Sequence, residues 1–266
     1  MTSINTSNSY IDTGNKLNQT YSQVSSGKRI NSAADDAAGL AITTRFSSQV
    51  SGTQQAQRNG LDAKSLIETE DGALAQISTG IERLKELSVQ QGNGILNDSD
   101  RAALAKEANQ ISDQINQVIE QSSFNGKDLF QQEGNSQSLN FQLGDKAGDV
   151  VSLTANVTAD PIKEGLEQLD FSSADAGENL TNLEAIQQVV TERRSELGAT
   201  SNRVDSSIEQ LSNEEIQTQS ARSRVEDADI AKLVSEMVVE QIKSQAQFAV
   251  QSQSNASAED TLRLLS

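Results

Sequence analysis

Between residues 176 and 226, apolar side chains recur at strict sevens: Leu183, Val190, Leu197, Val204 and Leu211. Ile186 and Ile208 thicken the same stripe. A heptad repeat holds one face of a helix against a partner, so this segment is expected to be a helix of roughly 40 residues, on the order of 60 Å long. A second stripe at three-four spacing runs through Leu74, Ile77, Ile81, Leu84 and Leu87. It predicts a helix from near Ala33 to about residue 90. QGNGILNDSD, residues 91–100, reads as a turn whose Asp98-Ser99-Asp100 cluster caps the next helix. That helix carries Leu104, Ala108, Ile111, Ile115, Val118 and Ile119, and is expected to stop at Gly126.

The period changes in the middle of the chain, from about 130 to 175. Leu139, Phe141 and Leu143 alternate with polar residues, GDKAGD follows, and then Val151, Leu153 and Ala155 alternate too. Alternation of this kind around a turn predicts a β-hairpin. Residues 154–160 and the lone Pro161 are expected to lead into irregular chain.

The two ends are more polar but still striped. Tyr10, Leu17 and Val24 lie seven apart, Tyr21 follows Leu17 by four, and Gly27 suits a helix stop. Asn31-Ser32 and Asp35-Asp36 resemble a loop and a fresh N-cap, a more common role for paired aspartates than calcium binding without further ligand spacing. At the other end, Ile230, Val234, Met237, Val238 and Ile242 fall on one side of a last helix, which closes with Leu262, Leu264 and Leu265. Each half carries a long seam with no partner nearby in sequence. The expected fold is therefore mainly α: long antiparallel helices in a coiled-coil bundle, the N- and C-termini paired, with a small β-hairpin region in the middle.

Composition narrows the function. Aromatic residues make up only 3% of the chain and there is no Trp, which argues for thin seams rather than a thick globular core. The formal charge is −17, from 38 acidic against 21 basic residues, which disfavours nucleic acid and anionic membrane surfaces as partners. With no Cys and no His, the chain lacks thiol chemistry, the commonest general base and the commonest transition-metal ligand. No stretch approaches the ~18 apolar residues of a membrane span, and MTSINTSNSY has no basic or apolar region of a cleavable signal peptide. No nucleophile elbow, phosphate loop or zinc motif is present, so a structural role is expected, with no catalytic, cofactor or metal residues.

Several long motifs resemble the bacterial flagellins. SSGKRINSAADDAAGLAITTRF (Ser25 to Phe46), EDGAL (Glu70 to Leu74), ERLKELSVQ (Glu82 to Gln90) and SSFNGKDL (Ser122 to Leu129) are similar to the N-terminal flagellin signature. ERRSELGATSNRV (Glu192 to Val204) and SARSRVEDADIA (Ser220 to Ala231) resemble the C-terminal one. The likeness covers roughly residues 2–130 and 175–266. A hook–filament junction protein shares the plan and is the nearest alternative; a chemoreceptor-like hairpin would need membrane spans.

The resemblance implies an inner terminal domain of residues 1–40 and 226–266, disordered in the monomer, and a second helical domain of residues 41–225. Outer domains are expected to be absent. The first helix is shorter than in familiar flagellins by about two helical turns, a loss that keeps a heptad seam in phase. Also implied are polymerisation with other copies into an extracellular filament for swimming, and type III export with an uncleaved N-terminal signal. An export chaperone on about 226–266 and contacts with filament-cap and hook-junction proteins follow from the same likeness. The positions matching a Toll-like receptor 5 contact are Arg83, Leu87 and Glu107, with a departure at Glu82, where such flagellins often carry Gln. Without the resemblance, Arg83 and Glu107 read as solvated helix charges and Leu87 as a seam residue. The residues expected to pack the terminal coil or neighbouring subunits are Tyr10, Leu17, Val24, Ile230, Val234, Met237, Leu262, Leu264 and Leu265.

Overall fold

A computed structural model describes residues 2–130, 138–154, 158–173 and 175–265; side chains are described from Asp12 to Ser257 within these, and for Glu259. The helices are α1 (Thr2–Ser26), α2 (Ala37–Gln91), α3 (Asp98–Gln121), α4 (Ala159–Glu167), α5 (Gly177–Glu226) and α6 (Ile230–Leu265). Strands β1 (Ser123–Phe124) and β2 (Lys127–Asp128) form one hairpin, and β3 (Leu139–Gln142) and β4 (Val150–Leu153) another. The mainly α fold with a small central β region is the one the periodicity predicts.

Local chemistry sets the helix ends. Gly27 adopts φ 71° directly after α1, a conformation that costs glycine little. Asp36 caps α2, its carboxylate accepting from the Gly39 N–H at 2.8 Å. The helix therefore starts at Ala37 rather than near Ala33, because Asp35 is turned the other way. Its carboxylate accepts from the backbone N–H groups of Asn31 (3.1 Å) and Ser32 (2.9 Å) and holds the loop open. Asn97 and Asp100 form a reciprocal capping box on α3.

Two expectations give way. α3 does not run to Gly126: Asn125 (φ 51°) and Gly126 (φ 74°) form the two-residue turn of the β1–β2 hairpin. Asn-Gly favours that turn because both central residues need positive φ. The chain around Pro161 is helical, not irregular: Pro161 lies in the first turn of α4, where its missing N–H would have no helical partner. The expected β3–β4 hairpin forms, with Leu139 opposite Leu153 and Phe141 opposite Val151. Ala155 lies outside the described residues.

Packing divides the chain into residues 52–215 and residues 1–51 with 216–266. Packing places the divisions about ten residues inside the boundaries at 40/41 and 225/226 that the family resemblance implies, within α2 and α5. In the 52–215 unit, α2 and α5 run antiparallel. Their cross-links are Gln54–Glu215 (2.7 Å), Lys64–Asp205 (2.7 Å), Arg194–Asp71 (2.8 Å) and Gln187–Ser78 (3.0 Å). Leu74, Ile77, Ile81, Leu84 and Leu87 meet Leu183, Ile186, Val190, Leu197 and Val204 in one buried cluster. α3 adds Leu104, Ala108, Ile115 and Ile119 to it. Its Ile115 packs on Gly80, where a Cβ would meet the Ile115 side chain at 2.8 Å.

This unit also buries polar groups, and Glu70, Arg193 and Gln91 among them are paired. Arg193 and Glu70 are 4% and 2% exposed, with Nε to Oε1 at 2.7 Å. The same guanidinium donates to Glu196 (2.8 Å) and to the Thr154 carbonyl (3.1 Å), so one side chain joins α5, α2 and the end of β4. Gln91, fully buried at the end of α2, donates to the Asp170 and Ser173 carbonyls at 2.8 and 2.7 Å and accepts from Asn179 at 3.0 Å.

Candidate functional site

The terminal unit is organised around a clasp. The Arg29 N–H donates to the Glu226 carbonyl (2.7 Å) and the Ala228 N–H to the Gly27 carbonyl (3.1 Å), with Lys28 and Asp227 bridged antiparallel. Lys28 and Arg222 both pair with the Glu226 carboxylate, and the Arg29 guanidinium donates to the Val225 carbonyl at 2.8 Å. α6 starts beside the end of α1, its first turn capped by Asp229, which accepts from the Lys232 N–H at 3.1 Å. The two terminal helices leave the clasp together and pack side by side.

The seam between them is thin. On α1 the covered positions are Thr13, Leu17, Thr20 and Val24, a four-three-four spacing. Thr13 and Thr20 are the buried ones; Leu17 and Val24 are half-buried. On α6 the half-buried positions are Leu233, Met237, Glu240, Ser244 and Gln247. Tyr21, read as a seam residue, is exposed. Tyr10, Leu262, Leu264 and Leu265 lie outside the described side chains.

Met237 lies on the seam, whereas Ile230 (44% exposed) and Val234 (39%) lie off it, on a side left open to subunit packing. With Val238 and Ile242 (60% exposed) they form a separate stripe open to solvent. The cause is that α6 is apolar on more than one side. A stripe at i, i+4, i+8 is visible in sequence, but nothing in the spacing says which stripe meets α1. Thr13 and Thr20 were legible only as seven-spaced neighbours of Gly27 on the face of Leu17 and Val24.

The second candidate face lies on α2 and α3. Arg83 donates to Glu107 at 2.5 Å from one guanidinium nitrogen and 3.1 Å from another, and to Glu86 at 2.8 Å. Glu107, then Glu86, holds the Arg83 pKa above its ordinary value. The pair is solvated, and presents a fixed cation between two carboxylates. Leu87 is not part of this surface: it is 1% exposed, inside the core cluster. A buried leucine offers no apolar contact to a docking partner, which removes it from the expected receptor set.

Among the described residues, no group of three or more His, Cys, Asp or Glu is placed to hold a metal. No helix among them is long and apolar enough to cross a membrane.

Comparison with known proteins agrees with this architecture. Residues 1–135 match the bacterial flagellin N-terminal helical region and residues 167–265 the bacterial flagellin C-terminal helical region. The chain is 34% identical to the flagellin of Halalkalibacterium halodurans over 263 residues, covering 97% of this chain and 96% of that one. It is 32% identical to the flagellin of Bacillus subtilis over 295 residues, covering 98% and 97%. The crystal structure of Bacillus cereus flagellin superposes with a TM-score of 0.53 at 30% identity, covering 58% of this chain and 88% of that one. A putative flagellar hook-associated protein from Vibrio parahaemolyticus gives a TM-score of 0.60 at 17% identity, covering 73% and 100%, a likeness of fold alone. The full-length matches favour flagellin over the junction protein, and the chain belongs to the bacterial flagellins, the structural subunits of the extracellular flagellar filament.

Proposed function

We propose that this flagellin joins the filament through its terminal unit, by burying the outer stripe of α6 against neighbouring copies. The supporting observation is the imbalance on α6: Ile230, Val234, Val238 and Ile242 face solvent, while among the described side chains Leu233 and Met237 supply the apolar surface on the half-buried side. Burying aliphatic side chains stabilises association by ~25 cal/mol per Å², before the ordering costs. Contacts repeated head to tail without closing build a helical polymer rather than a ring.

The same thin seam supports a monomer whose terminal segments are largely unfolded, since helices of weak intrinsic stability depend on packing. Such ends suit passage through a narrow type III export channel, with the N-terminal region as an uncleaved signal. A cytoplasmic chaperone then covers α6 before export, and the filament-cap and hook-junction proteins meet the same ends after it. The inner domain of 1–40 and 226–266 is the part that folds on assembly, and 41–225 the part already folded. The chain performs no catalysis. The Arg83–Glu107 pair is the contact offered to a vertebrate Toll-like receptor 5, without Leu87.

The test is the double variant Val234→Asp/Val238→Asp in the full chain. Sedimentation and electron microscopy should show no filaments at concentrations where the parent polymerises, with the thermal transition of the 52–215 unit unchanged. Filaments of ordinary length at ordinary concentration refute the assembly reading. Circular dichroism should show less helix in monomer than in polymer.

A further inference from the structure

The composition leaves few side chains that react readily with oxidants. Cys, Trp and His are absent, and the methionines are Met1 and Met237. Met237 is thus the one internal sulfur, and α6 places it on the half-buried positions facing α1. The neighbouring seam positions Glu240, Ser244 and Gln247 are polar, so among the described side chains Leu233 and Met237 supply the apolar surface of that face. Across the seam, the described side chains of α1 offer two threonines, Leu17 and Val24. A contact with so little apolar content is sensitive to the polarity of a single atom.

We infer that Met237 is an oxidation site that switches off assembly, with peroxide as the co-reactant. A lone pair on the thioether sulfur attacks one peroxide oxygen and forms the S–O bond as the O–O bond breaks. The departing hydroxide takes up a proton and leaves as water, and the sulfur loses two electrons to the peroxide. The product is methionine sulfoxide, polar and chiral where the seam requires a flexible apolar chain. The sulfoxide oxygen holds water at a half-buried position, so the apolar contact that Met237 gives the seam is weakened. The effect concerns the pairing of α1 with α6, so it rests on the reading that the terminal unit mediates assembly.

The experiment uses full-length monomer treated with hydrogen peroxide, peptide mass mapping to quantify sulfoxide at 237 and at 1, and seeded polymerisation to read the critical concentration. Oxidation at 237 should raise that concentration roughly tenfold, an effect of the size expected when one half-buried methionine loses its apolar contact. Methionine sulfoxide reductase with a thiol should reverse it. The variant Met237→Leu should polymerise like the parent and ignore peroxide; Met237→Gln should assemble poorly without any oxidant. An unchanged critical concentration with 237 fully oxidised, or equal peroxide sensitivity in Met237→Leu, overturns the inference. A chain truncated before residue 230 provides the separate control: if it still polymerises, the terminal-unit reading fails, whatever Met237 does.

Discussion

Truncating Glu70 to alanine tests the largest electrostatic commitment in the 52–215 unit. Glu70 and Arg193 are 2% and 4% exposed and joined at 2.7 Å, so the pair sits in the interior between α2 and α5. Removing one member of a buried pair costs about 3–5 kcal/mol, because the remaining charge stays buried without its counter-ion. Arg193 would keep Glu196 at 2.8 Å and the Thr154 carbonyl at 3.1 Å. Glu196 is half in water, with a side-chain exposure of 45%, so it offsets only part of the loss. The lower end of the range, ~3 kcal/mol, is the expected cost. For a unit of this size that lowers Tm by roughly 6–12 °C. Urea unfolding followed by circular dichroism gives the free energy directly. The companion Glu70→Met/Arg193→Met removes both charges and keeps the volume, and should lose less than either single change. A cost below about 1 kcal/mol for Glu70→Ala, or a double variant worse than the single, would refute the reasoning.

Gly80→Ala places a methyl 2.8 Å from the Ile115 side chain and should destabilise the unit by about 1–2 kcal/mol, the overpacking strain exceeding the gain in helix propensity. Ile115→Val in the same chain should restore part of it, as read by urea midpoints. The Asn31 backbone N–H, then the Ser32 hydroxyl, hold the Asp35 carboxyl below its ordinary pKa. Its contribution is therefore complete above the unfolded value near 4 and is lost as pH falls through the lower folded value. Amide hydrogen exchange at Asn31 and Ser32 should speed up relative to neighbouring amides as pH is lowered below about 4, and Asp35→Asn should remove that dependence.

The long seams were readable because each has one apolar side and one periodicity. Leu183 to Leu211 sit at sevens, and all five are buried. The β3–β4 hairpin was readable for the same reason, through a two-residue period on both strands. What the sequence concealed falls into three kinds. The Asn125-Gly126 turn was visible but competes with a helix stop, since both need positive φ, and only the pairing of Ser123 with Asp128 decides. The Glu70–Arg193 pair joins positions 123 residues apart on different helices, and a charge in a polar-looking heptad gives no sign that it will be buried. The orientation of α6 was ambiguous because its apolar residues surround much of the helix. At Leu87 the family likeness and the stripe pointed to different roles, and packing selects the stripe.

The clasp has a kinetic consequence for the chain ends. Main-chain bonds hold residues 27–29 beside residues 226–228, although nearly the whole molecule separates them in sequence. Once the clasp has formed, a separation of α1 from α6 leaves their roots adjacent, so each sees the other at an effective concentration on the order of millimolar. Re-pairing is then unimolecular and independent of how much protein is present. In a crowded pool of identical subunits, each N-terminal helix meets the C-terminal helix of its own molecule first, and exchange of ends between molecules is suppressed.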